Sequence, residues 1–269
     1  MKIILYKNGI DFYQDNQLII EENLIETAFF KMNYQHIDSC TKDNYAIKIS
    51  KESEYLIALQ RTPYNLLVFG STNLVTELVK VIISNNLNVN GILTSKTITN
   101  LFIDEISKYH HWTFKLRSDM SILTCNKYNE LNTNYLIETP SNKDLEELKE
   151  LQDMFHEEIF HEASDVKISD FEHELSNYLI IRLNNSIVSM IKRTRDEKNI
   201  CSLSCVYTRK EYRSNGLARI LVTALTNAIV LENKLAYLFV DNNNPISNHL
   251  YQSIGYVVKE DRMEYVCIK

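Results

Sequence analysis

A mixed α/β fold, built twice from one order of elements, is predicted by three features of this 269-residue chain. Apolar residues switch repeatedly between helical spacing and short strand-like runs. Turn signals such as Asn90-Gly91 and Asn184-Asn185 fall between the runs. Each half orders them as helix, three strands, helix, strand, helix, strand, which places helices against a sheet. Sequence identity between the halves is slight, so the repeat is one of architecture.

In the first half a short apolar piece precedes a helical pattern. Leu18, Ile19, Leu24, Ile25, Ala28, Phe29 and Met32 predict a helix over Gln14 to Asn33. Tyr45 to Ser50 and Tyr55 to Arg61 read as strands, and the polar Lys51 to Glu54 between them suits a hairpin. Asn65 to Phe69 is a third strand, bounded by Gly70. Asn73 to Ser84 is an amphipathic helix, Ile92 to Thr94 a strand, and Thr97 to Tyr109 a helix. Trp112 to Leu116 and Met120 to Cys125 read as two closing strands. Asn126 to Pro140 is polar and Asn-rich. It sets the boundary between a first domain, 1–135, and a second, 136–269.

The second half begins with a capping-box pattern, Ser141 with Asp144 three residues on. Leu145, Leu148, Leu151, Phe155 and Ile159 form the helix stripe behind it. Strands follow at Tyr178 to Leu183, Ile187 to Thr194 and Ile200 to Thr208. A polar loop leads to a helix over Gly216 to Glu232, and Leu235 to Val240 is a strand. Pro245 suits the first turn of a helix, and Gly255 suits its left-handed end. Tyr256 to Lys259 and Glu264 to Ile268 close the sheet.

Composition narrows the functional classes. Hydrophobic residues are 45% and charged residues 24%, which is globular usage. Lys+Arg number 29 against 35 Asp+Glu, a net charge of −6, which argues against a nucleic-acid partner. No run reaches the roughly 18 apolar residues of a membrane span. The apolar piece near Met1 is too short for a signal-peptide core. The five cysteines, Cys40, Cys125, Cys201, Cys205 and Cys267, are odd in number and widely spaced. They argue against a disulfide framework and against a metal site. The expectation is a reduced, cytoplasmic protein, monomer or homodimer, with no membrane partner.

One stretch carries chemistry. Cys205-Val206-Tyr207-Thr208 ends a strand, and Arg213-Ser214-Asn215-Gly216-Leu217-Ala218-Arg219 opens a helix. The first N–H groups of a helix lack intrahelical partners and carry positive potential, so a diphosphate suits this turn. Gly216 lets the backbone approach phosphates, Ala218 keeps the next contact small, and Arg213 and Arg219 add charge. The turn is neither a phosphate-binding loop with Lys-Ser/Thr nor the three-glycine dinucleotide fingerprint. By itself an Arg-x-x-Gly-x-Ala motif favours an ordinary strand–helix connection with a glycine for steric reasons.

Downstream, Asn244-Pro245-Ile246-Ser247-Asn248-His249-Leu250-Tyr251 runs into Gln252-Ser253-Ile254-Gly255-Tyr256. Together with Val206 to Arg219, this block resembles the GNAT-type N-acetyltransferase family. The shared pattern is a strand ending near Val-Tyr-Thr, an Arg-x-x-Gly-x-Gly/Ala turn, and a later Asn-(x)6-Tyr with a closing Gly-Phe/Tyr. Ala218 and Tyr256 are the departures, and the likeness covers about the last 130 residues. It implies tandem GNAT-like domains, each a mixed, largely antiparallel sheet with flanking helices. It implies acetyl-CoA as donor and a small-molecule or peptide amine as acceptor. Val206, Tyr207 and Thr208 would pair with the pantetheine arm, and Arg213, Ser214, Asn215, Gly216, Leu217, Ala218 and Arg219 would hold the diphosphate. Asn244 would contact the cofactor arm, and Tyr251 would place its hydroxyl near the thioester sulfur. The Val206 N–H would steady the developing oxyanion, and Tyr251 would protonate the departing thiolate.

Candidates for a base are His156, Glu157, Glu158, His161 and Glu162; a charge run of this kind also fits a solvated helix face. Cys201 and Cys205 read as small packing residues. Arg61 to Leu67 resembles an element of the amino-terminal half of two-domain bacterial members. The loop after Phe69 is only Gly70-Ser71-Thr72 and lacks the Arg-x-x-Gly turn. The first half thus resembles a degenerate GNAT-like domain, expected not to bind CoA but to pack on the catalytic half and wall the acceptor site. The alternative reading is a CoA- or acyl-CoA-binding sensor or structural module without turnover.

Overall fold

A computed structural model describes residues 1–160 and 166–268. The chain forms two compact units. One comprises Met1–Ser121, Asp241–Asn243 and the chain from Glu260 onward; the other comprises Ile122–Val240 and Asn244–Lys259.

In the first unit β1 (Lys2–Leu5) is followed by α1 (Gly9–Glu22) and α2 (Ala28–Asn33). The spacing predicts one helix from Gln14 to Asn33, whereas the structure has two, and the first starts earlier. Asn8 caps α1, its Oδ1 accepting from the Asp11 N–H at 2.8 Å. Thr27 breaks the run: its hydroxyl donates to the carbonyls of Ile20 and Asn23, at 2.9 and 2.6 Å, a local alternative to helix bonds. Next come β2 (Tyr45–Lys51), β3 (Glu54–Gln60), β4 (Leu66–Gly70), α3 (Val75–Ser84), β5 (Gly91–Ser95), α4 (Lys96–Ile106) and β6 (Thr113–Cys125). β1 to β4 pair in sequence, each antiparallel to the next. β4 and β5 are parallel, as a crossover through α3 requires. The predicted pair of closing strands is one long strand, β6.

The second unit holds β7 (Ile137–Glu138), α5 (Leu145–Phe160), α6 (Ile168–Glu172), β8 (Tyr178–Leu183), β9 (Ser186–Thr194), β10 (Ile200–Thr208), α7 (Leu217–Leu231), β11 (Leu235–Asp241), α8 (Pro245–Ile254) and β12 (Val257–Ile268). The capping box is present: the Ser141 N–H donates to Asp144 Oδ2 at 2.8 Å. Asn184 and Asn185 both take positive φ, +51 and +65, and close the β8–β9 hairpin tightly. β6 enters this unit at Ile122, and the strand order is β6-β11-β10-β9-β8-β7. β10 and β11 are parallel through α7, while β7 to β10 are antiparallel in turn. Both units thus share antiparallel strands, a strand–helix–strand crossover, a further helix and a last strand. Here too the two predicted closing strands are one, β12. From Glu260 on it belongs to the first unit, where Arg262 stands opposite Ser95 of β5.

Alternation along β8 to β10 supplies two apolar layers in the second unit. Ile181, Val188, Ile191 and Leu203 pack with Leu217, Leu221, Val222, Leu225 and Ile229 of α7. Ile180, Ile187, Met190 and Tyr207 pack with Leu148 and Leu151 of α5. Each such fully buried side chain contributes about 1.5–3 kcal/mol. This layering fixes β10 between α5 and α7, and the candidate site lies at its end.

Candidate active site

β10 pairs with β11 only from Ile200 to Ser202, opposite Leu235 to Tyr237. Beyond that register the strands part, although β10 runs on to Thr208 and β11 to Asp241. On its other edge β10 stays with β9, where Ser204 faces Lys192 and Tyr207 faces Met190. Cys205 and Val206 therefore stand against the single residue Ile191, which is a β-bulge. Cys205 takes φ +51, a conformation that a non-glycine residue adopts only when its surroundings hold it there. The bulge puts the Cys205–Val206 peptide out of register with β9, in the stretch of β10 beyond its pairing with β11.

The residues after the bulge are tied down. The Tyr207 carbonyl accepts from Ser189 Oγ at 3.0 Å, and Thr208 Oγ1 lies 2.8 Å from the same hydroxyl. The Thr208 carbonyl accepts from Arg213 Nε at 3.0 Å. A short turn, Lys210–Tyr212, then leads to Ser214 at φ +65 and Gly216 at φ +75. The Asn215 amide donates to the carbonyls of Tyr212 and Arg213, at 3.1 and 3.2 Å. Gly216 caps α7 without any side-chain bond. The first-turn N–H groups of Leu217, Ala218 and Arg219 thus face outward without intrahelical partners. A Cβ built on Gly216 meets no atom within 4 Å. That open cradle, at a left-handed glycine before fifteen residues of helix, fits a diphosphate.

The two arginines behave differently. Arg213 Nη2 donates to Glu158 Oε2 at 2.7 Å, and its guanidinium lies 5.5 Å from the centre of the Tyr207 ring. The Glu158 bond holds the Arg213 pKa above its ordinary value. Arg219 turns toward the end of α8, donating to Ser253 Oγ at 2.6 Å and to the Ser253 carbonyl at 3.3 Å. The structure keeps Arg213 beside the strand end and Arg219 against α8.

Asn244 caps α8, its Oδ1 accepting from the Ser247 N–H at 3.0 Å, with Pro245 in the first turn. Gly255 ends α8 at φ +106. Tyr251 is 7% exposed and belongs to the apolar cluster of Leu217, Leu238, Val240 and Val206. Its ring centre is 5.9 Å from that of Tyr256, edge to face. Burial raises the pKa of its phenol well above the ordinary value, so it stays protonated.

Of the candidate bases, His156 is half-buried beside Phe155, Glu157 is exposed, and Glu158 is engaged by Arg213. His161 and Glu162 lie outside the described residues. Cys201 is fully buried, and burial pushes its thiol up to about 11. Among the described residues no group of three or more His, Cys, Asp or Glu could hold a metal ion. No helix among them is long and apolar enough to cross a membrane. The feature that residue types did not reveal is the bulge. Cysteine at positive φ carries none of the glycine or asparagine signal that marks such positions.

The corresponding region of the first unit is built differently. β4 and β5 also part, after Leu67 and Leu93. The link to α3 is a short turn in which Ser71 Oγ accepts from the Asn73 N–H at 3.2 Å. Its glycine, Gly70, has φ +128, but a Cβ there would lie 2.3 Å from the Tyr55 carbonyl oxygen. This glycine admits β3 rather than opening a cradle.

Residues 145–256 match the family model described as Acetyltransferase (GNAT) family. No curated protein matches the chain. Among solved structures, an acetyltransferase of the GNAT family from Colwellia psychrerythraea is 11% identical, with a TM-score of 0.66 over 100% of each chain. A GCN5-related N-acetyltransferase from Sphaerobacter thermophilus is 14% identical, with a TM-score of 0.64 over 98% of this chain and 94% of that one. One from Kribbella flavida is 13% identical, with a TM-score of 0.51 over 81% and 88%. At these identities the likeness is one of fold, and in the first two it spans both units. The parted strands and the glycine-capped helix both lie within residues 145–256, the stretch that matches the GNAT acetyltransferase family.

Proposed function

We propose that the second unit is an acetyl-CoA-dependent N-acetyltransferase acting on a small-molecule or peptide amine. The observation that carries the reading is the parting of β10 from β11 beyond Ser202, beside a bulge and a helix that begins at an open glycine. Bound acetyl-CoA would supply an activated acetyl thioester. The edge of Val206, Tyr207 and Thr208 that β11 leaves unpaired would hold its amide arm as an added strand does. The N–H groups from Gly216 to Arg219 would hold the diphosphate, with Arg213 adding charge. Arg219, bound to Ser253, would contribute through its backbone. Asn244 spends its Oδ1 on the α8 cap, so its amide nitrogen would be the donor toward the arm.

The Val206 N–H, in the bulge beyond the last β10–β11 pair, would be the fixed donor to a developing oxyanion. Burial keeps the Tyr251 phenol protonated, and this hydroxyl would donate its proton to the departing thiolate. We assign no dedicated base. An amine that enters unprotonated needs none before attack.

Titration of the full chain with acetyl-CoA in a calorimeter should give one site per chain. Thiol release should then follow with at least one member of a panel of polyamines, amino acids and aminoglycosides. Two equivalent sites would contradict the assignment to the second unit. Tight binding without transfer to any amine or peptide would instead favour a CoA-binding module without turnover.

A further inference from the structure

A second cleft lies wholly within the first unit, at the parted ends of β4 and β5. Its volume is about 410 Å³, within the roughly 300–1,000 Å³ of small-molecule sites. Phe69 and Ile98 give it apolar wall, and the first turn of α4 opens onto it at Lys96. Glu260, Asp261 and Arg262 of β12 complete the charged lining.

Arg262 is the unusual member, because it is only 3% exposed. Its Nε donates to Glu260 Oε2 and its Nη2 to the Glu26 carbonyl, each at 2.7 Å. Its Nη1 makes no hydrogen bond among the described residues, nor is it one of the buried polar atoms left without a partner. A guanidinium held this far inside, with one nitrogen still open to the cleft it lines, is a fixed donor for a planar anionic group. The start of α4 and the exposed Lys96 add positive potential. Asp261 keeps one carboxylate oxygen on Ser121 Oγ at 2.6 Å, which leaves the other for a cation.

The lining balances: Lys96 and Arg262 stand against Glu260 and Asp261. A simple anion would meet two carboxylates, and a simple amine would meet two cations. A neutral molecule bearing both charges meets a partner for each. We propose that this cleft binds a free α-amino acid as its zwitterion, carboxylate toward Arg262, Lys96 and the α4 first turn, ammonium toward Asp261. This reading concerns the first unit alone and does not rest on catalysis in the second.

The test uses the full chain. Each of the twenty free L-amino acids is screened by thermal shift, and those that stabilise are titrated by calorimetry. The same amino acids are then titrated as N-acetyl and as amide derivatives. At least one amino acid should bind once per chain, and blocking either charge should weaken it about tenfold or more. Lys96→Glu, a change at an exposed side chain, should weaken it to the same degree. Asp261→Asn should do likewise. Neither variant should change the acetyl-CoA Kd. The proposal is overturned if none of the twenty binds, or if the blocked derivatives bind as tightly as the free amino acid. It is equally overturned if binding survives Lys96→Glu, which would place the amino acid elsewhere, for example at an acceptor site.

Discussion

Gly216→Val separates the cradle's role in binding from its role in folding. Gly216 sits at φ +75, which costs an L-residue about 1–2 kcal/mol, with somewhat more for a β-branched side chain. No clash is added, because a Cβ there meets nothing within 4 Å. The variant should therefore lose about 2 kcal/mol of the 5–15 typical of a native protein and remain folded. Its Tm should fall by roughly 4–8 °C. The new methyl groups would stand in the space assigned to phosphate, in front of the first-turn N–H groups. Losing even one charge-assisted bond there costs about 1.5–3 kcal/mol, so acetyl-CoA should bind roughly tenfold to a hundredfold more weakly. Gly216→Asn tolerates the backbone better and should recover much of the Tm but not the affinity. Gly70→Ala gives the contrast: its Cβ would lie 2.3 Å from the Tyr55 oxygen, so it should destabilise far more than Gly216→Ala. Melting curves and calorimetry on purified protein read both effects. A folded Gly216→Val that binds acetyl-CoA as tightly as the parent would show that this turn is not the diphosphate site.

Tyr251→Phe keeps the ring and should leave both Tm and acetyl-CoA Kd nearly unchanged, while kcat falls by about 10²–10⁴-fold. An unchanged kcat, with chemistry rate-limiting, would reduce Tyr251 to a packing residue. Glu158→Gln releases Arg213 and removes a negative charge beside the turn, so acetyl-CoA should bind up to about fivefold more tightly at low salt. Weaker binding in calorimetry would contradict this. The Glu232 carboxyl is lowered from 4.5 to about 2, mainly by its hydrogen bond from Arg193. A depressed pKa gives stability that is complete above 4.5 and lost as pH falls toward 2. Because the side chain is 40% exposed, the pair is worth about 1 kcal/mol after screening. Urea midpoints of Glu232→Gln and the parent should differ at pH 7 and converge near pH 2.

Strands and helices of the second half were legible in detail because local chemistry and burial agree there. Tyr178–Leu183 and Ile200–Thr208 are strands with the predicted bounds, and Pro245 and Gly255 bracket α8 as proline and glycine should. The two long strands that were each read as a pair share one cause. Arg117-Ser118-Asp119 and Glu260-Asp261-Arg262 look like loops, because a strand interior seldom carries three polar residues together. In β6 and β12 they are accommodated laterally. Ser121 bonds both Asp261 and Asn242, and Arg262 reaches the Glu26 carbonyl. Such partners are remote in sequence, so no window of neighbouring residues discloses them. The site was legible in the same uneven way. Gly216 and Asn244 advertise their backbone roles, whereas Cys205 gives no sign of its positive φ, and Arg219 none of its attachment to Ser253.

The passage of β12 into the first unit sets a timetable for biosynthesis. β5 is complete at Ser95, but the strand that covers its free edge begins to arrive only with Glu260. At about 5–20 residues per second, that edge waits on the order of ten seconds or more on the ribosome. During this interval it exposes unpaired N–H and C=O groups to any other extended chain. Amino-terminal fragments that stop short of Glu260 keep the same open edge permanently. Premature termination should therefore yield sticky products, and chaperone demand should peak before the last strand is made.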